Sequence, residues 1–220
     1  MDSTPVKGRR YDASGRRRAA EERRRTTVDQ ARALFLERGF AGTTVAAVAE
    51  RAEVSVETIY KSFGGKAGLV RAVWQQALEG TGPVPAEERS DAVSSVADDP
   101  LEVIGTWARL SAEVGERAAP VLALVREAAA ADPEAADLLT EIDDGRLARM
   151  VHNAEALARH GHLRPSLSTR RAAEAMTVLS SSLHDPLVDG FGWSAAEYSA
   201  LMARLLAAAL LDDRATGGSD

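Results

Sequence analysis

The chain contains no cysteine, which excludes disulfides, thiolate metal sites and cysteine nucleophiles. Aromatic residues make up only 5%, and β-branched runs are absent. With alanine abundant, that composition predicts helices rather than strands. Long apolar stretches are missing too. The longest runs from Leu205 to Leu211, between Arg204 and Asp212, and is too short to span a bilayer. The N-terminus is basic and polar with no apolar stretch behind it, so no secretory signal is expected and the cytoplasm is the expected compartment. Neither His-Glu-x-x-His nor Gly-x-Ser-x-Gly occurs. Gly64-Gly65-Lys66-Ala67 lacks the leading glycine and trailing hydroxyl of a phosphate loop. His160 and His162 flank Gly161 as a solvated or capping pair. No catalytic residue, metal site or cofactor is therefore assigned.

What is present is 220 residues, 45% apolar and 27% charged, enough to bury a core without staples. The formal charge of −6 hides a polarity. Residues 1–75 carry 15 basic and 9 acidic side chains, whereas residues 76–220 carry 12 and 24. The basic residues cluster as Arg9-Arg10, Arg16-Arg17-Arg18 and Arg23-Arg24-Arg25. Such a split suggests a basic unit that meets a polyanion and an acidic body that does not.

Residues 1–15, with Pro5, Gly8 and Gly15, read as a disordered basic tail. A helix starts near Arg16, buries Val28, Ala31, Leu34 and Phe35, and stops at Gly39. Thr43-Thr44 offers an N-cap for Val45, Val48, Ala49 and Ala52, and Ser55 one for Val56, Ile59, Tyr60 and Phe63. Gly64-Gly65 ends that helix, and another runs from Lys66 to Glu79. Residues 80–99, rich in glycine, proline and acids, read as a loop or linker. Helices are expected at 100–117, 119–131, 133–160, 168–185 and 194–212, with starts at Asp99-Pro100, Pro120, Asp132-Pro133, Ser168 and Ser194.

The two short helices at 45–52 and 56–63, joined by Glu53-Val54-Ser55, form a helix-turn-helix, whose second helix enters a major groove. The stretch Gly39-Phe40-Ala41-Gly42-Thr43-Thr44-Val45, followed by Val48-Ala49, Ala52, Val54-Ser55, Thr58-Ile59-Tyr60, Phe63, Lys66 and Leu69, resembles the DNA-binding domain of the tetracycline-repressor (TetR) family over residues 23–74. From residue 119 onward, including Leu163-Arg164-Pro165 and Gly192-Trp193-Ser194, the chain is also similar to the C-terminal domain of one loose subgroup. The resemblance implies an all-α fold: a helix-turn-helix domain at 16–65, a connecting helix at 66–79, and a helical ligand-binding and dimerisation domain at 80–220. It implies a regulator that is a homodimer on double-stranded operator DNA, usually released by a small molecule and without a membrane partner. One departure is Glu53, where many members carry glycine.

The resemblance assigns Thr44, Tyr60 and Lys66 to phosphates, with Thr43 and Ser55 beside them. Val56, Glu57, Thr58 and Lys61 are the candidates for base edges. Glu57 could accept from a cytosine amino group and Thr58 could touch a thymine methyl, while a solvated capping acid is the plainer role for Glu57. Arg23, Arg24 and Arg25 either follow the DNA backbone or form a solvated helix start. In the body, Trp107, Met150 and Met176 are spaced as core residues, and with Ser180 and His184 they are the candidate ligand contacts. Ser180-Ser181-Ser182 suggests a pocket wall, a close helix contact or fraying. The competing reading is a helical small-molecule-binding protein or enzyme with a basic tail.

Overall fold

A computed structural model describes residues 13–80, 82–96 and 98–212. The described residues are helical apart from short connections, with one isolated antiparallel bridge between Leu163 and Leu211. The helices are α1 (Ala13–Gly42), α2 (Val45–Arg51), α3 (Val56–Phe63), α4 (Lys66–Glu79), α5 (Ala86–Val96), α6 (Pro100–Ala129), α7 (Pro133–Arg159), α8 (Thr169–Ser182) and α9 (Ala195–Leu210). A π-helical turn, Asp185–Gly190, lies between α8 and α9.

Most boundaries follow from capping chemistry. Thr44, Ser55, Asp99, Asp132, Ser168 and Ser194 are N-caps whose side chains accept from backbone N–H groups two or three residues on. Each satisfies a donor the helix cannot. Ser194 and Glu197 cap reciprocally. The helical run of α1 breaks at Gly39, where φ is 72° and ψ 174°. α1 begins at Ala13, so residues 13–15 of the expected disordered tail are helical, and residues 1–12 of it lie outside the described residues.

Three expectations about the elements are corrected. Residues 80–99 are not only a linker, because α5 occupies Ala86–Val96. Its buried face is Ala86, Ser90 and Ser94, a stripe of small and polar residues that hydrophobic periodicity cannot register. Hydrogen bonds make that burial tolerable: Ser94 Oγ donates to the Ser90 carbonyl and accepts from Trp107 Nε1 at 3.2 Å. Pro120 does not start a new helix but lies inside α6. It forfeits one backbone hydrogen bond, worth about 3 kcal/mol with the ring clash. Ala118, Val121 and Leu122 around it are buried and hold the helix together across the defect. The helix expected at 168–185 is shorter, because α8 ends at Ser182 and Pro186 sits in the first turn of the π-helical segment.

Two hydrophobic clusters form. One joins α1–α4 to Ala118, Val121, Leu122 and Val125 of α6 and to Ala135, Leu138 and Ile142 of α7. The other joins Val103, Ile104, Trp107 and Ala108 of α6 to the end of α7, α8 and α9. α6 therefore runs through both.

Glu53, in the turn between α2 and α3, has φ 54°. A side chain there costs roughly 1–2 kcal/mol over glycine, partly offset because glycine loses more freedom on folding. Glu53→Gly is expected to raise stability by about 0.5–1 kcal/mol, or about 2 °C in Tm, with Glu53→Ala as control. A calorimetric melt showing no gain would contradict the strain assignment.

Candidate nucleic-acid interface

Ile59 anchors α3, fully buried, while Val56, Glu57, Thr58, Tyr60 and Lys61 are exposed around it. Tyr60 is 56% exposed and lies on the surface rather than in the core. Ser55 Oγ accepts from the Thr58 N–H at 3.0 Å and pairs with the Thr58 hydroxyl at 2.8 Å. Thr58 is thus exposed with its hydroxyl already engaged. Glu57 lies in the first turn, where the helix dipole favours its charge. Thr44 is exposed with its hydroxyl oxygen accepting from the Ala47 N–H. Thr43 is not on this surface. It is 1% exposed, and its hydroxyl is shared between the Leu34 and Gly39 carbonyls, so it ties off the end of α1 instead.

The start of α4 completes the surface. Gly65, its N-cap, contributes no side-chain hydrogen bond, and the ring of Tyr60 lies alongside Gly65. Lys66 is half-buried, with Nζ 4.1 Å from the centroid of the Phe40 ring, a contact that pre-orders the ammonium. Tyr60 adjoins the uncapped start of α4, and Lys66 is that helix's first residue, a combination of groups suited to an anion. α4 can come this close to α3 because residue 68 is glycine. A Cβ there would lie 1.6 Å from the Phe63 carbonyl oxygen, so any side chain would force the two helices apart.

Among the three arginines at 23–25, the structure separates one role that sequence reasoning missed. Arg24 Nη1 donates to the Ser62 carbonyl at 3.2 Å, and its guanidinium lies 4.4 Å from the centroid of the Phe63 ring. It clamps the C-terminus of α3 to α1, although Arg24 is exposed like Arg23 and Arg25. Only the fold brings position 24 next to position 62. Arg51 likewise reaches Glu37 on α1 at 2.8 Å and holds that carboxyl below its usual range.

A second feature lies in the body: a cavity of about 840 Å³. Trp107, Met150, Met176, Ser180 and His184 all line it. Ser180 and Ser181 donate to the Thr177 carbonyl within their own helix, which leaves their oxygens as acceptors on the wall. α4 also lines the cavity through Arg71, Trp74 and Leu78. Arg71 forms a bidentate pair with Glu141 of α7, at 2.6 to 2.9 Å. The Arg71 hydrogen bonds hold Glu141 below the ordinary carboxyl range. Among the described residues, His184, Asp185 and Asp189 could each offer one atom to a metal ion.

Residues 28–73 match the sequence model of the family described as bacterial regulatory proteins, tetR family. That segment is a DNA-binding region of the TetR type. Over 64 residues, 29% of this chain, the sequence is 34% identical to an uncharacterized HTH-type transcriptional regulator of Bacillus subtilis, YvkB. That match spans about a third of the relative's length, 34%. The TetR-like fold extends well beyond this domain. NalD, the secondary repressor of the MexAB-OprM multidrug efflux pump in Pseudomonas aeruginosa, superimposes with a TM-score of 0.68 at 21% identity, over 88% of this chain and 99% of that one. SmeT, solved as a complex with triclosan, superimposes with a TM-score of 0.68 at 20% identity, over 88% of this chain and 94% of that one.

Arg24→Ala removes a charged donor to a carbonyl and a cation–π contact at an exposed site. A loss of about 1–2 kcal/mol is expected, read as a drop of about 2–8 °C in Tm. An unchanged melt would show that the clamp contributes only position, not stability.

Proposed function

We propose that the chain is a sequence-specific DNA-binding transcriptional regulator, a homodimeric repressor that leaves its operator when a small, mainly apolar molecule fills the cavity. Residues 16–65 read the DNA, 66–79 connect, and 80–220 bind the ligand and dimerise. Thr44, Tyr60 and Lys66 take phosphates, and Val56, Glu57, Thr58 and Lys61 face base edges. A regulator of this kind works beside the chromosome, which puts the chain in the cytoplasm. No helix among the described residues is long and apolar enough to cross a membrane.

The observation that carries this reading is the position of α4. Its first residue, Lys66, is the phosphate contact of this reading, Gly68 packs against the end of α3, and Arg71, Trp74 and Leu78 line the cavity. A ligand that displaces α4 must therefore also displace α3. The spacing of two reading heads in a dimer changes with it, and binding to fixed half-sites weakens. The efflux-pump repressor and the triclosan complex among the structural relatives make an apolar ligand the natural class to test.

Operator selection from random duplexes, followed by titration at several salt concentrations, tests the reading head. Lys66→Ala is expected to weaken operator and random DNA alike and to lower the salt slope by about one unit per half-site. Glu57→Gln, of the same shape, is expected to leave half-site affinity for random DNA near its starting value and shift preference at one base pair by about 1–3 kcal/mol. Failure to enrich any sequence would reject the reading.

Dimerisation has its own test. Val178 on α8 is 61% exposed and Phe191 is 77% exposed, while Leu201 and Leu205 on α9 are half-buried. Apolar side chains left outward on α8 and after the π-helical turn, beside half-buried ones on α9, mark a covered face. Val178→Glu is expected to shift sedimentation from dimer to monomer at micromolar concentration with little change in helicity, because the residue is outside the core. A wild-type monomer under those conditions would overturn the dimer.

A further inference from the structure

Of the three arginines lining the cavity, two are paired. Arg71 is held by Glu141. Arg149 is held by Asp91 at 2.6 Å, by Glu87 at 3.2 Å and by the Ser90 hydroxyl at 2.7 Å. Arg146 differs. Its side chain is 15% exposed, yet its nearest ion-pair partner is Asp143, one turn back on α7, at 3.7 Å and 55% exposed. Burial lowers its pKa, Asp143, Tyr198 and Asp185 act in the opposite sense, and Arg126 of α6 adds a like charge. A guanidinium withdrawn from water with no close acceptor is costly unless something else supplies one.

Two further polar groups on the same wall are unsatisfied. His184 is 5% exposed and its Nδ1 has no hydrogen-bond partner. The ring is held against α6, where a Cβ on Gly115 would stand 2.4 Å from its Cδ2, and edge-on to Tyr198 at 5.2 Å. Asn153, two turns along α7 from Arg146, has a buried Oδ1 without a partner. Asp185 offers a carboxylate from the π-helical turn, but that group lies 3.6 Å from His184 Nδ1 and makes no ion pair with Arg146. Much of the remaining lining is apolar, including Leu110, Leu122, Ile142, Met176, Met202 and Leu206.

We infer that the cavity takes an amphipathic carboxylic acid, with its carboxylate on the Arg146 guanidinium and its apolar body along Met176, Met202 and Leu206. This rests on the ligand-responsive reading above. The guanidinium presents paired N–H donors in the planar geometry a carboxylate accepts, and the low dielectric of the cavity strengthens the contact. A neutral molecule of the same shape would fill the apolar part but leave the guanidinium unpaired. An ammonium would face Arg146 directly and be repelled.

The test is displacement of the neutral fluorophore N-phenyl-1-naphthylamine by decanoate, decan-1-ol and decylamine at neutral pH. The wild-type protein is expected to bind decanoate about tenfold or more tightly than decanol, and decylamine most weakly. Arg146→Met, similar in length and uncharged, is expected to bind decanol as before and to lose the preference for the acid. Equal affinities for acid and alcohol in the wild type, or a preference for the amine, overturn the proposal while leaving the cavity as a ligand site. Failure of the fluorophore and all three ligands to bind overturns the cavity reading itself, and this proposal with it. The wild-type series decides even where the variant fails to fold.

Discussion

The packing of α6 constrains every other part of the molecule. It contributes buried side chains to the cluster beneath the helix-turn-helix and to the cluster formed with α7, α8 and α9. Those contacts belong to one helix of 30 residues, so neither cluster can rearrange without the other registering the change. Close-packed interiors respond to displacement by shifting whole elements rather than by local compression. Pro120 lies within the first set of contacts, at the point where the ladder of backbone hydrogen bonds is one short. Ala118 on one side and Val121 and Leu122 on the other are buried, so the defect is held by the core beneath the helix-turn-helix.

Around that helix, polar contacts set geometry more than they add stability. Arg71–Glu141 is bidentate, yet both side chains are about half exposed, and water screens such a pair strongly. Its role is to register α4 against α7 on the cavity wall. The Arg24 and Arg51 contacts do the same for α3 and α2 against α1. α3 buries only Ile59 completely. A helix of eight residues with so little core would not hold its orientation alone, and the Arg24 clamp at its C-terminal end supplies what its own burial does not.

Much of this was legible before any coordinates. Short-range chemistry announces itself in sequence: Asp99-Pro100, Asp132-Pro133, Ser168 and Ser194 begin their helices where caps and N1 prolines say they should. The helix-turn-helix is legible for the same reason, because its apolar spacing and its caps are local. α5 was not, because its inward face is built from Ala86, Ser90 and Ser94, and serine reads as solvent-facing until a Trp107 indole is found donating to it. The interior position of Pro120 was not legible either, since a proline after a polar stretch looks the same at a helix start as within a helix supported from outside.

By itself, the sequence determined most helix starts and the helix-turn-helix, which depend on residues within a turn or two of one another, and the division into basic and acidic parts, which is a matter of composition. Tertiary structure decided which of those residues are available. It put Thr43 inside and left Thr44 outside, turned Arg24 from a neighbour of DNA candidates into a clamp on Ser62 and Phe63, and gathered Arg146, Asn153 and His184 onto one cavity wall. Those outcomes depend on which distant helices approach, and approach is set by long-range packing, for which no spacing along the chain is a measure.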